Sequence, residues 1–276
     1  MFDIIKKNKR WREKMSKTIC IFNQKGGVSK TTTAINLSAQ LSELGKKVLL
    51  IDMDSQGNAT TGLGINKKNT AFTTFDALTS EKNLNTIRLK IDGLKNLYLI
   101  PSTLKLIEAE FVLQSFEEDI RLNILNDKIE EVKAHYDYII LDCPPSLGFL
   151  SYSALIASDS FLAPIQPEYF AMEGVSQLLN TIDLIAEREE LEIECEGFLI
   201  TMYDKRLNLN KEVIEELKKH LEKDVLNTLI PRSVSLAEAT VNGEPICIYD
   251  PNGRGGEAYL SLALEIMKRN GDGLNE

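Results

Sequence analysis

Apolar positions along this chain form two kinds of pattern: short unbroken runs, and longer stretches in which apolar residues recur every three or four positions. Unbroken runs rich in β-branched and aromatic residues are typical of buried strands, whereas the longer spacing predicts helices. The strand-like runs cover residues 18–22, 47–51, 97–100, 138–142, 161–165 and 197–201. Because strands alternate with helices, we expect an α/β fold with one doubly wound, mostly parallel sheet and helices on both faces.

The clearest helical pattern begins at Lys30 and closes at Gly45. Further helices are predicted over about residues 171–187 and from Asn210, a residue type that often caps a helix N-terminus. Residues 66–96 are polar and weakly patterned, which indicates short helices lying over the sheet.

Charge is distributed unevenly along the chain. The net charge of −9 argues against a generally basic nucleic-acid-binding surface and favours either a localised basic face or no DNA binding. Residues 1–15 are the exception, with six basic residues against two acidic ones. We interpret them either as a leader ahead of an alternative start at Met15 or as an accessory DNA- or membrane-binding helix. The expected organisation is this extension, one domain over residues 16–270, and a polar tail over 271–276.

No apolar run approaches the roughly 20 residues of a membrane-spanning helix, and no signal peptide is apparent. We therefore expect a cytoplasmic protein without an integral membrane segment. The four cysteines are far apart in the sequence and lack a Cys-x-x-Cys pair, so neither a zinc site nor a disulfide framework is indicated. Reduced thiols are expected, with Cys20 buried in the first strand.

A glycine-rich loop at residues 24–33, QKGGVSKTTT, carries the strongest chemical signal. Such a loop presents backbone N–H groups to phosphate oxygens, a lysine that reaches the terminal phosphates, and a hydroxyl that ligates Mg²⁺. Lys30 and Thr31 occupy the lysine and hydroxyl positions. The preceding strand and the following helix provide the context that the motif requires.

Carboxylates follow two of the other predicted strands. Asp52 and Asp54 come at the end of the second strand, and Asp142 ends the run at 138–142. The carboxyl ends of parallel strands meet at one sheet edge, where open α/β sheets bind ligands. We expect these acids to lie beside the phosphate loop.

Lys25 gives the loop a second lysine, ahead of the glycine pair. The sequence Lys-Gly-Gly-x-x-Lys-Thr resembles the deviant Walker A motif of the ParA/MinD family of P-loop ATPases. The spacing of later segments is similar to that of ParA (Soj-like) partition ATPases, and the resemblance covers about residues 16–270. It implies a P-loop NTPase fold of the deviant Walker A type that binds ATP and Mg²⁺ and forms an ATP-dependent homodimer.

The resemblance implies a role for each site residue. Lys30 contacts the β- and γ-phosphates, Thr31 ligates Mg²⁺, and Asp142 holds Mg²⁺ through water. Asp54 orients or activates the attacking water, and Lys25 reaches the partner subunit's phosphates in the dimer. Asp52 supports either Mg²⁺ or the switch loop, although a simple strand-end cap is an equal alternative.

The remaining expected nucleotide contacts come from the loop itself and from two later loops. The loop residues are Gly26, Gly27, Val28, Ser29, Lys30, Thr31 and Thr32, and the adenine walls are Met202 and Pro231. Ser29 departs from the family, which most often has glycine before the catalytic lysine. Its Cβ crowds a loop that must approach phosphate closely.

DNA binding is also implied by the resemblance. Arg206 matches a basic position linked to nonspecific DNA binding, but Ser235 stands at a second position where the family has arginine. Lys205 and Arg232 are candidates for a composite basic face, with a solvated helix face as the alternative.

The preferred interpretation is a DNA-segregation ATPase associated with the nucleoid, whose slow hydrolysis is stimulated by a ParB-like centromere-binding partner. The main alternative is a MinD-like membrane-associated or cargo-positioning ATPase, although the chain ends in a polar, acidic stretch rather than a basic amphipathic helix. A nitrogenase-iron-protein-like reductase is disfavoured, because it needs paired cluster-ligating cysteines.

Overall fold

The computed structural model describes residues 16–272, and their centre is one eight-stranded sheet. The strands are β1 (Lys17–Ile21), β2 (Val48–Asp52), β3 (Leu89–Lys90), β4 (Leu97–Ile100), β5 (Tyr138–Asp142), β6 (Ser160–Ile165), β7 (Glu194–Tyr203) and β8 (Val225–Pro231). Their order across the sheet is β3-β4-β2-β5-β1-β6-β7-β8. All neighbours pair in parallel except β3 with β4, which are antiparallel. The expected doubly wound, mostly parallel sheet is confirmed.

Helices cover both faces of the sheet. They are α1 (Lys30–Glu43), α2 (Asn58–Gly62), α3 (Thr74–Thr79), α4 (Leu84–Ile87), α5 (Glu108–Leu113), α6 (Glu118–Glu130), α7 (Phe149–Ile156), α8 (Ala171–Glu189), α9 (Asn208–Leu221), α10 (Val234–Asn242), α11 (Ile246–Tyr249) and α12 (Arg254–Arg269). Alternate residues of β2 face opposite ways: Leu49 and Ile51 join the core beneath α3 to α9, while Val48 and Leu50 join the core beneath α1, α10, α11 and α12. Because both faces of β2 are buried, its sequence is a continuous apolar run instead of an alternating one.

Two local details differ from the sequence interpretation. Residues 66–96 hold short helices as expected, but also the antiparallel edge strand β3, which is too short to show a pattern. Asn210 is not the N-cap of α9, since Leu207 takes that position. The buried Asn210 side chain instead donates from Nδ2 to the Pro167 carbonyl (2.8 Å) and accepts at Oδ1 from the Asp204 N–H (2.9 Å). Residues 1–15 and 273–276, which include the predicted extension and most of the tail, lie outside the described residues.

Candidate nucleotide site

The phosphate loop connects the carboxyl end of β1 to the first turn of α1, at the middle of the sheet. Gly27 (φ 76°) and Ser29 (φ 71°) both take left-handed backbone conformations. Alternation of such residues with ordinary ones turns successive N–H groups towards one concavity, which is the geometry that binds anions. Lys25, Gly26 and Gly27 are exposed, whereas Val28 is buried beneath the loop.

The Lys30 side chain lies against its own loop. Its side chain is buried, and Nζ donates to the Lys25 carbonyl at 2.9 Å. Burial lowers the pKa of Lys30, and the charge of Asp142 acts in the opposite direction. A buried ammonium at this position supplies positive charge where phosphate oxygens would meet the loop.

Asp142 is a fully buried carboxylate without a good partner. Neither Oδ1 nor Oδ2 has a hydrogen-bond donor of acceptable geometry among the described residues. Burial, followed by the charge of Asp52, raises the pKa of Asp142 well above its usual range, and the nearby Thr31 hydroxyl lowers it only in part. An orphaned buried carboxylate next to a hydroxyl fits a group that holds a hydrated divalent cation.

Asp52 lies opposite Asp142 in the β2–β5 register, but its oxygens are occupied. Oδ2 accepts from the Thr60 N–H (2.8 Å) and hydroxyl (2.7 Å), and Oδ1 accepts from the Asp54 N–H (3.2 Å). Burial raises the pKa of Asp52 to about 6, while the Thr60 hydrogen bonds hold it lower than burial alone would. Through these hydrogen bonds, Asp52 fixes the position of the loop that follows β2.

Asp54 sits on that loop, two residues beyond the strand. It is largely buried, its Oδ1 accepts from the Gln56 N–H at 2.9 Å, and Oδ2 has no hydrogen-bond partner among the described residues. The charge of Asp54 acts on both Lys30 and Asp142, so the structure brings it to the same site.

The Lys25 side chain, unlike that of Lys30, is exposed and contacts a residue outside the loop. Its Nζ forms an ion pair with Glu168 Oε2 at 2.5 Å, and both side chains are about half exposed. Glu168 follows β6, the neighbour of β1. A cavity of about 430 Å³ opens here, between the loop and the start of α8, and Phe170 and Gln177 are among its lining residues.

Met202 and Pro231 lie on the same sheet edge at increasing distance from the loop. The Thr201 hydroxyl donates to the Val28 carbonyl at 3.1 Å, which ties the end of β7 to the phosphate loop just before Met202. Pro231 is one strand farther out, opposite Tyr203 in the β7–β8 register.

The predicted basic face is built on the loops after β7 and β8. The Arg232 N–H donates to the Tyr203 carbonyl (3.1 Å), so the two loops are adjacent. Arg206 is well exposed, but its guanidinium makes a two-pronged contact with Asp204, with Nη2 2.6 Å from Oδ2 and Nε 2.9 Å from Oδ1. This contact holds the pKa of Asp204 well below its usual range. Lys205 is exposed beside it.

Two contacts of the site escaped sequence reasoning. Glu168 was missed, although a carboxylate soon after β6 obeys the same strand-end rule that pointed to Asp54. The Sγ atoms of Cys20 and Cys143 lie 3.2 Å apart in the core, because β1 and β5 are neighbours; both cysteines are free. Sequence distance alone could not show this.

Two features are absent within residues 16–272. No group of three or more His, Cys, Asp or Glu side chains there is arranged to hold a metal ion. This suits Mg²⁺, which keeps several waters and substrate oxygens and needs only one or two protein ligands. Among the helices of the same residues, none is long and apolar enough to cross a bilayer.

Comparison with known proteins supports one family. A family model described as an AAA domain matches residues 16–195. The sporulation initiation inhibitor protein Soj of Bacillus subtilis is 49% identical over 253 residues, covering 91% of this chain and 98% of that protein. The chromosome-partitioning ATPase Soj of Treponema pallidum is 40% identical over 257 residues, covering 93% and 99%. The septum site-determining protein MinD from Pyrococcus horikoshii, solved with Mg-ADP, superposes with a TM-score of 0.76 at 27% identity, covering 93% and 98%.

Proposed function

This chain belongs to the Soj/ParA group of the ParA/MinD family of P-loop ATPases, and from that premise we propose that it is a DNA-partitioning switch. ATP binding drives formation of a homodimer, and the dimer binds DNA without sequence preference. A ParB-like partner stimulates slow hydrolysis and thereby releases the DNA. The protein accordingly acts in the cytoplasm, on the nucleoid.

The proposal rests on the different environments of two lysines on one loop. Lys30 is buried and bonded inside its own loop, whereas Lys25 is exposed on the outer side and paired with Glu168. One loop therefore offers an inward cation for its own substrate and an outward cation for another molecule. In a homodimer, Lys30 would contact the nucleotide of its own subunit, and Lys25 would contact the phosphates bound by the second copy.

The remaining site residues fit ATP and Mg²⁺ as follows. Thr31 and the orphaned Asp142 would hold Mg²⁺, and the bound ion would neutralise charge on the phosphate oxygens. Lys30 stabilises negative charge on the terminal phosphates. Asp54 accepts a hydrogen bond from the attacking water and orients it, because the Gln56 N–H holds Oδ1 while Oδ2 has no partner within residues 16–272.

The loop N–H groups of residues 26–31 and the Thr32 side chain bind the α- and β-phosphates, and Met202 and Pro231 flank the base. Asp52 supports the metal site indirectly, since its oxygens hold the switch loop through Thr60. We assign DNA contact to Arg206, Lys205 and Arg232, because these exposed cations lie on two adjacent loops joined by the Arg232 N–H and the Tyr203 carbonyl.

Co-sedimentation tests the proposal. Purified protein is mixed with nonspecific linear DNA, or with anionic lipid vesicles, in the presence of ATP, ADP or no nucleotide. Retention on DNA with ATP alone is the expected result, and Lys30→Ala serves as the nucleotide-binding control. Pelleting with vesicles and not with DNA would instead establish the MinD-like membrane alternative, and binding that ignores nucleotide would contradict the switch.

A further inference from the structure

An apolar surface remains exposed between the end of β4 and the first turn of α6. Phe111 is 69% exposed, Leu104 64% and Ile107 54%, and their spacing places them on one side of the segment that includes α5. We call this surface the 104–120 patch; its members are Leu104, Ile107, Phe111, Val112, Phe116 and Ile120. A contiguous group of this kind, rimmed by polar residues, marks an interaction site.

The rim of the patch is acidic. Its exposed carboxylates are Glu108, Glu110, Glu117, Glu118 and Asp119. The cations in this region are Lys105, which lies over the Phe75 ring, Arg188, which pairs with Glu118, and the partly exposed Arg121, so the five rim carboxylates outnumber them. A second copy that met this patch with its own would bring like charges together, so the surface favours a basic, apolar-rich occupant.

We propose that the occupant is residues 1–15 of the same chain. This segment combines six basic residues with Phe2, Ile4, Ile5 and Trp11, which is the composition that the patch calls for. A tether within one chain also raises the effective concentration of the segment at the patch, so that even weak contacts suffice. The proposal goes beyond the proposed function and does not depend on it.

The route from the segment to the patch is short. Asp159 accepts from the Thr18 N–H at the start of β1 (2.7 Å) and pairs with Lys133 just beyond α6 (3.0 Å). The chain that precedes β1 therefore emerges beside the far end of α6, whose near end adjoins the patch.

A segment running back along α6 meets further exposed acids at Asp127, Glu130 and Glu131. The 13 residues of α6 span about 20 Å, and an extended chain of the segment's length reaches roughly 50 Å. Exposed acids therefore lie at both ends of α6, with Arg121 between them, and the length of the segment does not limit its reach.

Trp11 is the single tryptophan of the chain, so its fluorescence reports on this segment alone. In the full chain without nucleotide, we expect an emission maximum blue-shifted from that of the urea-unfolded chain, and protection from acrylamide. Phe111→Glu should shift the maximum towards the unfolded value and raise the quenching constant several-fold. Val241→Glu is the matched control: Val241 is 87% exposed on α10, against the other face, and this change should alter nothing.

Salt and dilution complete the test. High salt should weaken the protection, because the rim and the segment carry opposite charges. Protection should be independent of protein concentration if the contact is intramolecular. An unfolded-like spectrum that Phe111→Glu leaves unchanged would overturn the proposal. So would protection that disappears on dilution, which indicates a second copy, or protection that requires anionic vesicles, which indicates a membrane.

Discussion

Lys25 Nζ and Glu168 Oε2 lie 2.5 Å apart, so the outer lysine of the phosphate loop is held by a carboxylate of its own chain, 143 residues away. Both side chains are about half exposed, and ion pairs of this kind contribute at most about 1 kcal/mol. Such a contact orients Lys25 but is weak enough to be replaced, because a phosphate group competes easily with one exposed carboxylate.

Lys25→Ala should retain nucleotide binding but lose ATP-dependent dimers and stimulated hydrolysis, because Lys30 serves the same subunit while Lys25 serves the other. Gel filtration with light scattering measures the dimers. Lys95→Ala, an exposed lysine ahead of β4 at the opposite edge of the sheet, should behave as wild type. Normal ATP-dependent dimerisation of Lys25→Ala would show that the lysine does not act between subunits.

Asp54→Ala should accumulate an ATP-bound dimer that stays on DNA, since the residue orients water and does not hold phosphate. We expect turnover to fall by ~100-fold or more, the size of a typical general-base contribution. Phosphate release and nucleotide-dependent DNA retention are the measurements, with the exposed Asp92→Ala as control. Wild-type turnover would remove Asp54 from the mechanism.

Arg206→Glu should abolish ATP-dependent DNA retention and leave nucleotide binding and dimerisation intact. Because Asp204 neutralises the guanidinium locally, Asp204→Asn should strengthen DNA binding, and Ser235→Arg should do so by adding a cation. Each additional DNA phosphate that the protein neutralises should steepen the log–log salt dependence by roughly one unit. Mobility shifts across a salt series check this; if Arg206→Glu behaves like Lys95→Glu, the DNA face lies elsewhere.

Asp142→Asn should stabilise the protein while it disables the site. A buried carboxylate without a hydrogen-bond donor of good geometry among residues 16–272 costs folding free energy, and the amide removes its charge at nearly constant shape. In urea unfolding without Mg²⁺ or nucleotide, we expect an increase of about 1–3 kcal/mol in the free energy of unfolding, together with loss of Mg²⁺-dependent hydrolysis. A less stable variant would mean that Asp142 has a structural partner.

Ser29→Gly should be more stable than Ser29→Ala by roughly 1 kcal/mol, because only glycine takes the left-handed conformation without strain. Ser176 provides a control in which the order should reverse. It lies within α8, so Ser176→Gly should be less stable than Ser176→Ala. Thermal unfolding of the four variants tests the reversal. Equal stability of the two Ser29 variants would indicate that the loop relaxes.

Local pattern was sufficient to predict much of this molecule. The runs around β1, β2 and β5 are long, apolar and bounded by loops, so period and composition agree about them. The strand-end rule then predicts Asp54 and Asp142 beside the phosphate loop, and the structure brings those side chains together there.

Contacts set by the order of strands were beyond sequence reasoning. Cys20 and Cys143 touch only because β1 and β5 are neighbours, and Glu168 reaches Lys25 only because β6 flanks β1 on its other side. The N-cap interpretation of Asn210 was wrong for a related reason. Its amide joins the nearby Asp204 N–H to the Pro167 carbonyl, 43 residues away, and this outweighs the local preference of asparagine for a helix start.

The Asn210 side chain has a practical consequence for chimaeras. One amide fastens the loop that presents Glu168 to the loop that presents Arg206, through the Pro167 carbonyl and the Asp204 N–H. Both partners are main-chain groups, so a graft of either loop alone keeps the contact only if it also keeps that loop's length and backbone path. The segments around residues 167, 204 and 210 therefore form one exchangeable module, to be transplanted together or left in place.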